Sequence, residues 1–331
     1  EEGALPQSAG NNYVKFVTEL KNLYGKIEIT DKAVRASEYS VGAFVNLLNA
    51  EMEGLIRASK FNFGRMIFGD GSGKLATVKS VASGVITMDS VKNLIEGMVV
   101  DFYTSANAIV SEMAGARITS VDRTNKTITV SKTLDSKVVA NCYLTVQGSK
   151  GNELTGLGKI FASTGTIYGV DRSTNGWLVP HMDATEKLIS DTVIQDAIDK
   201  LDENVGSTVD YIACSYDVKR LYQQYLSANK RNIDIMDLQG GYKAMSYSGI
   251  PVVADRFVED GTMYLLNTKD FALHQLCDWQ WLEGEDGKVL KQNAGFATYS
   301  ATLVKYADLI CQKPAGQAKI SNIVATLTTT D

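Results

Sequence analysis

Between residues 41 and 67 the apolar side chains Val41, Phe44, Val45, Leu48, Met52, Leu55, Ile56, Phe63, Met66 and Ile67 recur at steps of three and four. That spacing puts them on one face of an α-helix. At 1.5 Å per residue, about 28 residues make a helix about 40 Å long, more than a compact α/β domain needs. The chain is therefore expected to be flat and elongated, with this helix as its spine. Gly69 follows as a C′ residue, and Gly71 and Gly73 of the string FGDGSG keep the chain from re-entering the helix. Leu48, Met52, Leu55 and Ile56 are expected on the core face, and Asn49, Glu53 and Lys60 elsewhere. On that placement Leu55→Ala should cost about 2 to 5 kcal/mol, and Glu53→Ala should be nearly silent.

Before the helix, residues 13–30 have an extended pattern, with Val14, Phe16 and Val17, then Ile27 and Ile29 alternating with Lys26, Glu28 and Thr30. This is expected to be a hairpin or a long β-arm. After it, residues 75–148 break into short strands punctuated by turns, including a hairpin over 116–131 whose turn lies at Thr124, Asn125 and Lys126, Asn being tolerant of left-handed backbone. The segment is expected to be a small inserted β-barrel or sandwich. Its charges are mixed and its aromatics sparse, so neither an oligonucleotide-binding face nor a lectin site stands out.

An α+β pattern follows. Val193, Ile194, Ala197, Ile198 and Leu201 form a helix face ended by Gly206, leading into the strand VDYIAC. A second helix has Ser215 as N-cap, Asp217 complementing the dipole, and Val218, Leu221, Tyr222 and Tyr225 as its buried face. A polar loop over 229–248 precedes the strands IPVVA and GTMYLLN and a long final strand within 296–311. Pro314 is expected to end the folded part, leaving a Thr-rich tail to residue 331 that is loosely ordered or adds a strand to a neighbour.

At 331 residues and 44% hydrophobic, the chain can bury one large core or two to three modest ones. A net charge of −5 with 33 Lys+Arg gives no global attraction to nucleic acid. Cys142, Cys214, Cys277 and Cys311 are widely separated and form no C-x-x-C pair, so they are expected to be buried thiols in a reducing compartment. No apolar run is long enough to cross a bilayer, and no charged-then-apolar leader is evident. The chain begins with Glu1 rather than Met, so an N-terminal segment is expected to be missing.

No residue set points to catalysis, a cofactor or a metal. His181 and His274 lack companions at ligand spacing. The string GDGSGK is one residue short of a phosphate loop, has Leu75 in place of Ser/Thr, and follows a helix instead of preceding one. There is no G-x-S-x-G elbow. The acidic run GEDGK at 284–288 lacks alternating calcium ligands and a closing Glu. Glu51 and Glu53 point in different directions on the helix, and they and Glu1/Glu2 are expected to be solvated.

The order of elements resembles the major capsid proteins of tailed phages, the Hong Kong 97-type fold. EEGALP and an extended strand are followed by YGKIEITDKAVRAS and a long helix ending in FGRMIFGDGSG; later the helices around VDYIACS are followed by YSGIPVVADRFVEDGTMYLLNTKDF. In that family these look like the returning strand of the E-loop, the spine helix with its Gly-rich exit, and the helix, loop and return strands of the axial domain. The resemblance implies an α+β capsid fold divided as follows: a partial E-loop arm over 1–36, the spine helix over 37–74, an inserted β domain over 75–148, the peripheral-domain return over 149–187, the axial domain over 188–295, a peripheral strand over 296–313 and a tail over 314–331. It further implies a non-enzymatic subunit that self-assembles into hexamers and pentamers of an icosahedral virion head around double-stranded DNA, without sequence-specific binding. The implied partners are a portal, a scaffold, a maturation protease and decoration proteins, with no membrane and no cofactor, and assembly takes place in the host cytoplasm. The nearest alternative is an encapsulin-like compartment shell, against which the β insertion and the missing N-terminal segment weigh. A carbohydrate-binding tail or fibre protein would need repeated sheets and aromatic platforms, and a hydrolase would need the motifs that are absent.

Overall fold

The helix expected from the three-and-four spacing is present and uninterrupted. A computed structural model of the protein describes residues 13–36, 41–229, 235–238, 242–284 and 287–327, without the side chains of 41–47, 235–238 and 242–244. EEGALP, Glu1/Glu2, and Glu285 and Asp286 of the GEDGK run lie outside the described residues, as does part of the polar loop over 229–248. Strand β1 (Lys21–Thr30) runs into a short helix α1 (Asp31–Ala36), and α2 (Val41–Phe68) is the 28-residue helix. Its described first half is less buried than expected: Leu55 is half-buried and Ile56 is exposed, whereas Arg65 and Met66 near the other end are buried. The reason is local. Leu55 lies against β1, where a Cβ on Gly25 would lie 2.6 Å from its Cδ1, but stays only half-buried there, and the large Leu55→Ala cost expected for a fully buried leucine does not apply.

Six strands then close a barrel: β2 (Lys74–Ala82), β3 (Val85–Met88), β4 (Val99–Tyr103), β5 (Ala116–Asp122), β6 (Thr127–Val130) and β7 (Tyr143–Val146), in the order β2-β3-β6-β5-β4-β7. Ile86, Met88, Leu94, Val100, Phe102, Ile118, Ile128 and Leu144 fill it. The β2–β3 turn places Ser83 and Gly84 both at positive φ between the paired Ala82 and Val85, the arrangement that matches strand twist in a two-residue hairpin. In the β5–β6 turn it is Lys126, at φ 54°, that takes the left-handed conformation, not Asn125. Asn125 is needed elsewhere. Its backbone N–H and side-chain amide both donate to the Asp122 carboxylate, which Thr124 N–H also reaches, and these donors lower the Asp122 pKa.

The chain leaves the barrel through a one-turn helix α3 (Leu157–Ile160), the ribbon β8 (Thr166–Ile167) and β9 (Val170–Asp171), and β10 (His181–Asp183). Helix α4 (Asp191–Val205) starts at Ser190, whose hydroxyl accepts from Val193 N–H, and stops at Gly206 in the left-handed region. After β11 (Tyr211–Cys214) comes α5 (Tyr216–Asn229). Ser215 stands at the start of that helix as expected, its carbonyl accepting from Lys219 N–H, while its hydroxyl donates to Thr262 O and ties the helix start to the sheet. Strands β12 (Ile235–Leu238), β13 (Tyr242–Tyr247), β14 (Ile250–Ala254) and β15 (Met263–Leu266) follow. The long β16 (Phe271–Trp281), the short β17 (Lys291–Gln292), the long β18 (Thr298–Cys311) and β19 (Ala318–Ile320) complete the chain.

A mixed seven-stranded sheet runs β10-β19-β15-β11-β14-β13-β12. Ile194, Ala197, Leu201, Val218, Tyr222 and Leu226 of α4 and α5 pack on one of its faces, and Tyr264 and Leu266 belong with Ile160, Phe161 and Ile310 to a second core. Covered on both faces, such strands lose the apolar/polar alternation, and all four residues of β15 are buried. Pro314 does not end the folded part. Ala318 and Ile320 are buried and β19 pairs with both β10 and β15; a three-residue strand between polar residues carries too little pattern to read.

Candidate assembly interface

Strands β1, β18 and β16 form a long antiparallel sheet with β18 in the middle. Residues 13–30 are not a hairpin. All ten residues of β1 pair with β18, from Lys21 opposite Ala307 to Thr30 opposite Thr298. Leu23, Ile27 and Ile29 are buried, and the residues alternating with them, such as Tyr24 and Glu28, face outward. On the other side of β18, β16 slips register twice between Gln275 and Gln280. This strand joins the long sheet, not the seven-stranded one.

Helix α2 is fastened to this sheet and to residues 153–158 by a buried polar frame. The Arg65 guanidinium donates to both Glu153 carboxylate oxygens, at 2.8 and 2.5 Å, with each side chain no more than 4% exposed. Asp308, fully buried in β18, accepts from Thr155 N–H at 2.7 Å and from the Thr155 and Thr18 hydroxyls. Lys305, three residues earlier, donates to Gln275 at 2.8 Å and to Asp278 at 2.6 Å, and its ammonium lies 5.2 Å from the centre of the Phe63 ring. That donor lowers the Asp278 pKa. Phe63 in turn meets Trp279 edge-on. The segment ahead of β1 is held by Val17 N–H on Tyr168 O and by Phe16, stacked 5.9 Å from Trp177.

Around this rigid frame large apolar side chains face solvent. Tyr24 on β1 is 61% exposed, Leu276 on β16 is 78% and Phe296, in the connection before β18, is 71%; Leu273, Leu282 and Ile56 are exposed as well. An over-determined frame beneath exposed apolar residues is what a subunit needs in order to bury surface against other copies without changing shape.

The residues considered for chemistry do not converge. His181 lies on β10, and burial first, then Lys200, lowers its pKa; His274 is exposed on β16. Among the described residues no group of three His, Cys, Asp or Glu could hold a metal ion. In GDGSGK, Asp70 accepts from Ser72 N–H and hydroxyl, closing a turn. Glu51 and Glu53 are exposed. Cys142, Cys214 and Cys311 are buried as expected, whereas Cys277 on β16 is only half-buried, and burial pushes the Cys214 and Cys311 thiols up to about 12. No described helix is long and apolar enough to cross a membrane. The frame residues Arg65, Glu153, Lys305 and Asp308 were not singled out by sequence reasoning. The one available signal was the pair Lys305 and Asp308 interrupting the apolar run Leu303–Cys311.

Near β10, burial alone would raise the Asp183 carboxyl, but donors from Lys187 and Thr185 hold it down at about 2, below its ordinary 3.8. A depressed carboxyl stabilises fully above its unfolded value and loses that contribution as pH falls through the folded one. Asp183→Asn should therefore cost about 1 to 2 kcal/mol near pH 6 after solvent screening. The gap between its urea midpoint and the parent's should close between about pH 4 and pH 2; a pH-independent gap would refute the assignment.

No protein-family model matches the chain, and no curated protein matches it. Among solved structures it is similar to the capsid asymmetric unit of cyanophage A-1(L), at 12% identity and a TM-score of 0.52 over 92% of this chain and 77% of that one. Looser likenesses are to the procapsid of satellite phage P4 with its size-determination protein (10% identity, TM-score 0.43, 96% and 76% covered) and to the holo-SrpI encapsulin complex of Synechococcus elongatus (14%, 0.36). The latter match takes in 46% of this chain and only 56% of the encapsulin chain. The likeness to the cyanophage protein is one of fold: the chain has a mixed helix-and-strand, phage-capsid fold.

Proposed function

We propose that the chain is the major capsid protein of a tailed phage, of the Hong Kong 97 type: a non-enzymatic subunit that self-assembles through hexamers and pentamers into an icosahedral head around double-stranded DNA. The observation that carries this reading is the long sheet β1-β18-β16, fastened to α2 and bearing Tyr24 and Leu276 outward, with Phe296 exposed just ahead of β18; the shared fold supports it. On this reading α2 is the spine, the chain before it belongs to the E-loop arm, and the barrel is an inserted module on the shell exterior. The seven-stranded sheet with α4 and α5 is the axial domain, and the long sheet is the peripheral one. The partners are other copies of the chain, with a portal, a scaffold, a maturation protease and decoration proteins during assembly in the host cytoplasm.

Purified protein in mild buffer should sediment as megadalton particles and appear as closed shells by electron microscopy. The variant Leu276→Asp/Phe296→Asp alters only exposed side chains, so it should keep the parent's circular dichroism and melting temperature while losing the shells. A parent that stays monomeric under every assembly condition, or a variant that assembles like the parent, would refute the reading. Shells recovered from cells with a protein cargo and no DNA would move it to an encapsulin-like compartment.

A further inference from the structure

The barrel differs in charge from the rest of the molecule. Between residues 74 and 150 nine Lys/Arg stand against six Asp/Glu, whereas the whole chain has 33 against 38. Aromatics are sparse in this segment, yet barrel closure brings two of them together. Tyr103 ends β4 opposite Tyr143 at the start of β7, and their rings stack 5.4 Å apart at 17°. The Lys150 ammonium lies 4.3 Å from the Tyr103 ring centre and that of Lys74 lies 5.9 Å from the Tyr143 ring centre. Tyr143 donates its hydroxyl proton to Asn107 Oδ1 at 2.8 Å, and Lys150 donates to Asn107 O. Lys74, Asn107, Tyr143 and Lys150, with Asn141 and the Asp70–Ser72 turn, border an open cleft of about 660 Å³.

The ligand class follows from what the cleft offers. Single-stranded nucleic acid is held by stacking bases on exposed aromatic faces along a basic groove. Here Tyr103 is buried, the two rings stack on each other and a lysine ammonium lies over each, so no aromatic face is open to a base. Asn amides, Ser and Tyr hydroxyls and one carboxylate instead supply donors and acceptors at several angles, which suits a ligand carrying many hydroxyls. Each ammonium has three N–H donors, so Lys150 can hold Asn107 O and still reach an anion, with Lys74 as a second cation. We propose that this cleft binds an acidic saccharide, a short oligomer whose sugar hydroxyls meet Asn107, Asn141 and Tyr143 and whose carboxylates pair with Lys74 and Lys150.

The test uses the intact chain at low ionic strength, titrated calorimetrically with trigalacturonate, maltotriose and a short oligothymidylate. Trigalacturonate should bind, and the neutral sugar and the oligonucleotide should bind at least about tenfold more weakly. Lys74→Glu should weaken trigalacturonate at least about tenfold and Tyr143→Phe by a few-fold. Lys79→Glu, an equal charge change at an exposed barrel position away from the cleft, should leave the affinity unchanged. Absence of trigalacturonate binding, equal or tighter binding of maltotriose or oligothymidylate, or an equal loss in Lys79→Glu would each overturn the proposal. None of these variants touches the long sheet, so shell formation by the same proteins reports on assembly separately.

Discussion

Gly156→Ala is expected to be among the most damaging single changes in this chain, costing about 4 kcal/mol or more of the 5 to 15 that hold a typical domain folded. A Cβ at that position would lie 2.2 Å from Met66 O, 2.4 Å from Gly69 O and 2.7 Å from Ile67 O. All three are backbone atoms at the end of α2, so no rotamer change can make room. The residues leading into α3 would have to retreat and loosen Glu153 and Thr155 from their partners. Gly148→Ala is the control. That glycine has φ +71° but open space around it, so its substitution should cost only about 1 kcal/mol, the backbone penalty alone. Urea unfolding of the two variants measures the difference. Equal midpoints would mean that the helix end and residue 156 do not approach as described.

Glu153→Gln should cost about 3 to 5 kcal/mol, because it leaves the buried Arg65 guanidinium with no countercharge. The double change Arg65→Met/Glu153→Leu removes both charges from a site whose neighbours include Leu23, Met66 and Leu154, and it should recover most of that loss. A double variant as unstable as the single one would show that the pair contributes through its geometry and not through paired charge. The double variant also asks whether the frame is needed for assembly. On the proposed reading, a double variant that folds and still forms shells means that the ion pair only secures the subunit; one that folds and fails means that the pair sets how α2 sits on the segment at Glu153.

What could be read from the sequence was whatever depends on near neighbours. The period of α2, the Gly206 stop and the turns that punctuate residues 75–148 are local, and they appear where expected. Gly69 is a subtler case. It follows the helix, but the left-handed residues are Gly71 and Gly73, and Gly69 itself is pressed against Gly156 and Gly158, a requirement set by a distant segment. Partners far along the chain were not legible. Nothing in FALHQLCDWQW shows that it pairs with β18 instead of joining the seven-stranded sheet, and nothing in Tyr103 and Tyr143 shows that their rings touch. Helix burial failed for a related reason: an apolar stripe has the same spacing whether it faces the chain's own core, as at Met66, or solvent, as at Ile56.

The late position of β18 and β19 along the chain also governs when the two large sheets can be completed. Strand β1 is made first but its partner spans Thr298–Cys311, and β15 waits for Ala318–Ile320. The barrel, by contrast, draws all its strands from one continuous stretch that ends at Val146. During synthesis the barrel can therefore close early, while the long sheet stays open until Cys311 has left the ribosome and the pairing of β10 and β15 with β19 until Ile320 has, these being slow, non-local pairings. On the proposed reading, a nascent chain in that condition has no completed long sheet to offer a second copy.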